Sequence, residues 1–166
     1  MQNKKITDIF GFLIEVLAFC GLLLHLLIIL EAWNLLPESI PIHFDFMGRV
    51  DAWGNKTDIL LLFSLSVLFY VGLTWLSRYP HKFNYPWKIN ETNAERQYYL
   101  ARNFVKVIKL ETMWLFALIS LQMIGVALGQ ISGLGYLFVP LVIAITSATV
   151  IGYLILASRS ALSSTQ

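Results

Sequence analysis

Long apolar runs separated by shorter polar stretches dominate this chain. The first runs from about Ile9 to Leu30, and the second, Ile59 to Leu76, carries no charge. From Thr112 to Ala157 no Asp, Glu, Lys or Arg appears, although one membrane crossing needs only about 20 residues. Gly129-Gln130-Ile131-Ser132-Gly133-Leu134-Gly135 divides that run, predicting a third span and a fourth joined by a very short turn. Pro140 falls in the first turns of the fourth span, where its missing N–H costs least. Spans at about 9–30, 59–76, 111–128 and 134–157 predict an all-α integral membrane protein forming one domain over 1–166. An outer loop occupies 31–58, and a cytoplasmic loop with an amphipathic helix occupies 77–110.

That helix has its own signature. Pro80 and Pro86 keep the preceding stretch irregular, and Thr92 with Glu95 fits a capping box. Tyr98, Ala101, Val105 and Ile108 then recur at helical spacing, with Arg96, Arg102, Lys106 and Lys109 as cationic heads. The helix is expected to lie near the inner membrane surface and to run into the third span. Asn93, Arg96 and Arg102 are its candidate site residues, and around Arg96 and Arg102 it would face lipid headgroups or a cytoplasmic protein partner. Lysine and arginine set the orientation. They crowd the second loop, whereas the first carries Arg49 and Lys56, the third none, the N-terminus Lys4 and Lys5, and the tail Arg159. Both termini are therefore expected in the cytoplasm and the first loop outside.

Composition agrees with the pattern. The chain is 57% hydrophobic and 13% charged, against about 45–50% and about 25% in soluble domains. Cys20 is the single cysteine, which excludes an intramolecular disulfide. It is expected to pack as a small hydrophobe. Lys4 and Lys5 before an apolar run resemble a signal peptide, but the run is too long for an h-region, and it reads as a retained first span.

Candidate chemistry concentrates in the outer loop. Pro37 and Pro41 impose an extended approach. Gly48 and Gly54 would allow tight turns that fold Asp51 back toward His43. His43, Asp45 and Asp51 could together bind a divalent metal, or serve as an acid–base pair with an orienting carboxylate. The same residues also make self-bonded structural turns, with Trp53 and Phe44 anchoring the loop at the interface. Metal or small-ligand site, catalytic site and structural loop all stand at this point.

Three ionisable residues, Glu15, His25 and Glu31, lie in or near the first span. Glu31 is expected at the outer interface. Glu15 and His25 are too far apart along a helix to touch, yet they could line one proton or ion pathway. His25 also reads as a neutral ring bonded to a neighbouring span. Glu111 reads as an interfacial residue. Gly125 and Gly129 fit a helix-dimer pattern, and with Gly152 they allow a homo-oligomer or close intramolecular packing. Asn55-Lys56-Thr57 and Asn90-Glu91-Thr92 fit the glycosylation triplet only weakly. No phosphate loop, CxxC pair or nucleophile elbow is present, and nothing argues for nucleic acid.

Pro37-x-x-Ile40-Pro41-x-His43-Phe44, followed by Gly48-x-x-Asp51-x-Trp53-Gly54-x-Lys56, resembles the signature of a bacterial membrane domain of unknown function. That domain also forms the N-terminal part of SdpI-like immunity proteins. Phe83-Asn84-Tyr85-Pro86, with Asn93-Ala94-Glu95-Arg96-Gln97-Tyr98 and Arg102, resembles short stand-alone members. The resemblance implies a multi-pass protein of the bacterial inner membrane. In the immunity proteins it implies protection against a secreted peptide toxin and sequestration of a cytoplasmic repressor. It supplies no catalytic residue. The expected function is thus a non-enzymatic protein that binds or senses a peptide or metal ion at its outer loop. The alternatives are a small ion-coupled transporter using Glu15 and His25, and a metal-dependent membrane enzyme at His43, Asp45 and Asp51.

Overall fold

The computed structural model describes the backbone of residues 2–162 and the side chains of 9–162. Lys4 and Lys5, on which part of the orientation argument rests, lie outside the described side chains. Four helices are long and apolar enough to cross a membrane: α1 (Gln2–Ala32), α2 (Asp58–Leu76), α3 (Ala94–Ala127) and α4 (Phe138–Leu162). A short 3-10 turn, Pro80–Lys82, follows α2.

The loop between α1 and α2 departs from the all-α expectation. It forms an antiparallel hairpin of β1 (Ser39–Phe44) and β2 (Val50–Asn55). Prolines argue against strands, but here the register accommodates one. Lys56 N–H bonds Glu38 O at 2.9 Å, and Ile40 lies opposite Gly54. Pro41, opposite Trp53, therefore falls at a non-hydrogen-bonded position where no N–H is required. Gly48 makes the turn with φ +75°, whereas Gly54 sits inside β2 and makes no turn. Gly54 is needed for space: a Cβ there would meet the Asp58 carboxylate and the Ile42 side chain.

Beneath the hairpin lies an apolar cluster of Ile29, Ala32, Leu36, Ile40, Ile59, Met123 and Ile124. It seats the hairpin on the ends of three helices, and burial of Ile40, which belongs to the hairpin rather than to a span, contributes about 1.5–3 kcal/mol.

α1 and α3 form the main helix contact. The buried residues of α1 include Gly11, Ile14, Ala18, Gly21, His25, Ile29 and Ala32, a seam of three- and four-residue steps with small residues that let the helices approach closely. On α3 the facing stripe is Gln97, Ala101, Val105, Lys109, Met113, Ala117 and Ser120. α3 is one unbroken helix of 34 residues, about 51 Å long at 1.5 Å per residue, against a hydrocarbon core of about 30 Å. The segment expected as a surface-lying amphipathic helix is thus the first part of the same rod. Its capping box does not form. Thr92 Oγ1 instead donates to Asn90 Oδ1 at 2.7 Å, and Asn93 becomes the N-cap, because the Asn90 side chain captures the turn. Asn55 takes Thr57 N–H and Oγ1 in the same way before α2. Both Asn-x-Thr triplets are helix-approach turns.

The link between α3 and α4 is longer than the expected short turn, and α4 starts at Phe138 rather than near Leu134. Leu134 N–H is taken by Gly48 O at 2.8 Å, Arg49 bridges Gly133, and Gly135 has φ +81°. Gly129, at φ +70°, closes the C-terminus of α3, and Gly125 lies under Ile131. The Gly125–Gly129 pair is therefore used within the chain. α4 packs on α3 with Ala157 as its one buried residue among those described. Cys20 is exposed on the outside of the bundle rather than packed within it.

Two polar layers join α1, α2 and α3. Counting about 1.5 Å per residue from the hairpin end, one lies roughly 10–12 Å down and the other roughly 24–27 Å down. In the first, His25 Nδ1 lies 3.2 Å from Ser66 Oγ and Nε2 lies 2.7 Å from Ser120 Oγ. The Ser66 proton goes to Phe63 O at 2.7 Å. Ser66 Oγ therefore accepts from Nδ1–H and Ser120 donates to Nε2, so a neutral ring satisfies every group. In the second layer Lys109 has no solvent exposure; its ammonium donates to Glu15 Oε2 at 2.5 Å and to Thr74 Oγ1 at 2.8 Å, over the Tyr70 ring at 4.8 Å. Lys106 stands 3.7 Å from Glu15 Oε1.

Lys109→Ala should cost about 1–3 kcal/mol of unfolding free energy in detergent, below the ~3–5 kcal/mol of a fully buried pair because Glu15 stays partly exposed. The double variant Glu15→Gln with Lys109→Met should recover most of the loss. A single-variant loss below about 0.5 kcal/mol would contradict the role given to this layer.

Candidate functional site

The hairpin presents the candidate residues in two separate groups. His43 Nδ1 and Asp51 Oδ1 lie 2.5 Å apart across the strands, with the two side chains 69% and 43% exposed. Register shifts on both sides of His43 bring it beside Asp51 rather than leaving it in simple ladder alternation. Asp51, Trp53 and Asn55 alternate outward along β2. Pro37 is exposed at the approach to β1, and Pro41 is buried beneath it.

Asp45 belongs to the turn instead. Its Oδ1 accepts the N–H groups of Met47 and Arg49, both at 2.9 Å. Its Oδ2 takes the Arg49 guanidinium at 2.8 Å and 2.7 Å, a two-pronged fork. The backbone N–H of Arg49, aided by its guanidinium and by Met47 N–H, holds the Asp45 carboxyl below its usual range. Among the described residues, no three His, Cys, Asp or Glu side chains converge as a metal-binding group. The expected His43–Asp45–Asp51 triad is divided between an exposed pair and a self-bonded turn. A strand end followed by a tight turn turns Asp45 back onto Arg49, which spacing along the sequence does not reveal.

Lys56 closes the hairpin base, 3.1 Å from Glu38 and 5.5 Å from the Trp33 ring centre. The tip, through Gly48 and Arg49, is joined to the α3–α4 link as described above. Glu15 and His25 lie in different layers, Glu15 paired with Lys109 and His25 bonded at both ring nitrogens. Arg96 and Arg102 are exposed on the first turns of α3, Arg96 lying 5.6 Å over the Tyr99 ring. Asn93 is buried and donates to Lys88 O at 3.0 Å. Gln97, absent from the expected site, accepts from Trp87 Nε1 at 2.9 Å and donates to Ala157 O at 2.8 Å, fastening α4 to the end of the bundle away from the hairpin. Lys109 was equally hidden as a site residue, although it stands in the four-residue stripe Ala101, Val105, Lys109, Met113.

Because the Asp45 pKa is lowered in the folded hairpin, its stabilisation of the tip is complete above the ordinary Asp value of about 3.9 and is lost only as pH falls through the lower folded value. Hydrogen-exchange protection of the Met47 and Arg49 amides, corrected for intrinsic rates, should therefore persist at pH 4 and decline at more acidic pH. Loss of protection already near pH 5 would contradict the fork.

No curated protein and no solved structure matches the chain. Residues 20–69 match DUF1648, a domain of unknown function. The match runs from the hairpin-side part of α1 through the whole hairpin to Phe69 of α2. It includes His25, Ser66 and the His43–Asp51 pair, and it stops short of Lys109 and α4.

Proposed function

We propose that this is a non-enzymatic, multi-pass protein of the bacterial inner membrane, of the SdpI-like type, that binds an extracytoplasmic peptide on its hairpin and serves immunity or signalling. The observation that carries this reading is the edge of β2. Among the described residues β2 pairs with β1 alone, apart from the Arg49 bridge to Gly133 beside it and the Asn55 N–H given to Asp58 Oδ2, while β1 packs on α3. An extended peptide could add to the free edge through backbone hydrogen bonds. The exposed Trp53 and the His43–Asp51 pair would then read its side chains. Division of the acidic residues between two groups favours this over metal-dependent chemistry. Pairing of Glu15 with Lys109 and Lys106 favours it over ion-coupled transport.

The orientation proposed places the hairpin outside and both termini in the cytoplasm. Even with Lys106 and Lys109 drawn into the bundle, Arg78, Lys82, Lys88, Arg96 and Arg102 remain on the opposite end. There they would meet anionic lipid or a cytoplasmic protein partner. α4 offers the route by which occupancy would be relayed. The link that leads into it is bonded to the hairpin tip through Leu134, and at its other end its own Ala157 O accepts from Gln97.

Cells expressing the protein should resist, or respond to, members of a panel of secreted membrane-active peptides. Trp53→Ala and His43→Ala should abolish that response without changing the amount of folded protein. Glu15→Gln, if it folds, should retain it. Stoichiometric zinc in the purified protein that disappears in His43→Ala would contradict the peptide reading and favour a metal site.

A further inference from the structure

A second feature lies on the other side of α3, away from the hairpin. A groove of about 450 Å³ runs between α1 and α4, within the size range of small-ligand sites, about 300–1,000 Å³. Ile108, Leu115 and Leu118 form its floor, Leu17 one wall, and Val142 and Ile145 the other. Trp114 lies alongside, its Nε1 donating to Leu17 O at 3.1 Å. This lining is apolar except toward one end, where Glu111 meets Thr146 and Thr149 of α4. Thr149 donates to Glu111 Oε1, and Thr146 to Oε2 at 3.4 Å.

Two hydroxyl donors fill part of a carboxylate's roughly four acceptor positions and bring no positive charge. Glu15 has two lysines, but Glu111 takes part in no ion pair among the described residues. With the hairpin end of α3 at one face of a hydrocarbon layer about 30 Å thick, Glu111 lies about 24 Å down, about 6 Å short of the other face and deeper than the interfacial position expected for it. A carboxylate at that depth calls for a cation.

We propose that this groove binds a single-chain amphiphile whose primary ammonium is attached directly to its alkyl chain. The ammonium pairs with Glu111, and the chain lies along Leu115 and Leu118 toward the bilayer centre. Charge selects an amine over a fatty acid. Depth selects an amine on the chain over an aminophospholipid, whose amine lies beyond its phosphate at headgroup level, outside the hydrocarbon. The groove opens sideways to lipid, since Leu17, Leu118 and Ile145 are exposed, so the ligand enters from the membrane.

The test uses the full chain in phosphatidylcholine nanodiscs with a dodecylamine brominated at its chain end, which quenches nearby tryptophan. Trp114→Phe identifies the quenched ring. The amine should bind at least about tenfold more tightly than the matching alcohol, as one desolvated charge pair allows. Glu111→Gln, which keeps an acceptor for one threonine and offers the other hydroxyl an N–H to accept, should erase that preference. Leu118→Phe, which narrows the groove, adds no tryptophan and leaves the carboxylate in place, should weaken the amine by a similar factor. Equal binding of amine and alcohol, an unchanged preference in Glu111→Gln, or unchanged amine binding in Leu118→Phe would each overturn the proposal. So would an aminophospholipid that displaced the amine while the bare amine showed no preference.

Discussion

One ammonium group organises the bundle. Lys109 is fully shielded from solvent on a helix whose other buried neighbours are Val105, Met113 and Ala117. Such a charge persists only with partners close by. It takes a carboxylate from α1 and a hydroxyl from α2, with the Tyr70 ring beneath it. Three helices are thereby fixed in register at one level. The His25–Ser66–Ser120 layer repeats the arrangement nearer the hairpin with neutral groups. In lipid, where apolar surfaces gain little by meeting one another, hydrogen bonds and close packing at small residues decide which faces join. The α1 seam of Gly11, Ala18 and Gly21 supplies the close packing.

α4 has no part in either layer. It rests on α3 through the Glu111 threonines and Gln97, and the link that leads into it is bonded to the hairpin tip. The molecule therefore combines a pinned three-helix body with a peripheral fourth helix. The hairpin sits on the apolar cluster of the body and also touches the link to α4. A ligand on the hairpin edge would act on the least embedded helix, which is the physical basis for assigning recognition to one end and relay to α4.

The four spans were legible because uninterrupted apolar runs leave no alternative in a chain so poor in charge. The hairpin was not, since prolines at 37 and 41 count against strands, and only the register reveals that Pro41 occupies a position needing no N–H. Periodicity likewise assigned Lys109 to a polar face, because amphipathic patterns treat every lysine as solvated. Its place in the Gln97, Ala101, Val105, Met113, Ala117 stripe was the available signal. For Asp45 none existed. A carboxylate two residues from His43 looks like a co-ligand until the turn at Gly48 directs it to Arg49.

The account depends most on the hairpin facing away from the cytoplasm while the basic end faces it. The direct measurement is labelling of intact cells with a membrane-impermeant maleimide, using Trp53→Cys and Lys88→Cys separately in a Cys20→Ala background. Labelling at 53 in intact cells, with labelling at 88 only after the membrane is opened, is the predicted result. Labelling at 88 in intact cells, with 53 protected until the membrane is opened, would invert the molecule and remove the basis for an outer recognition site.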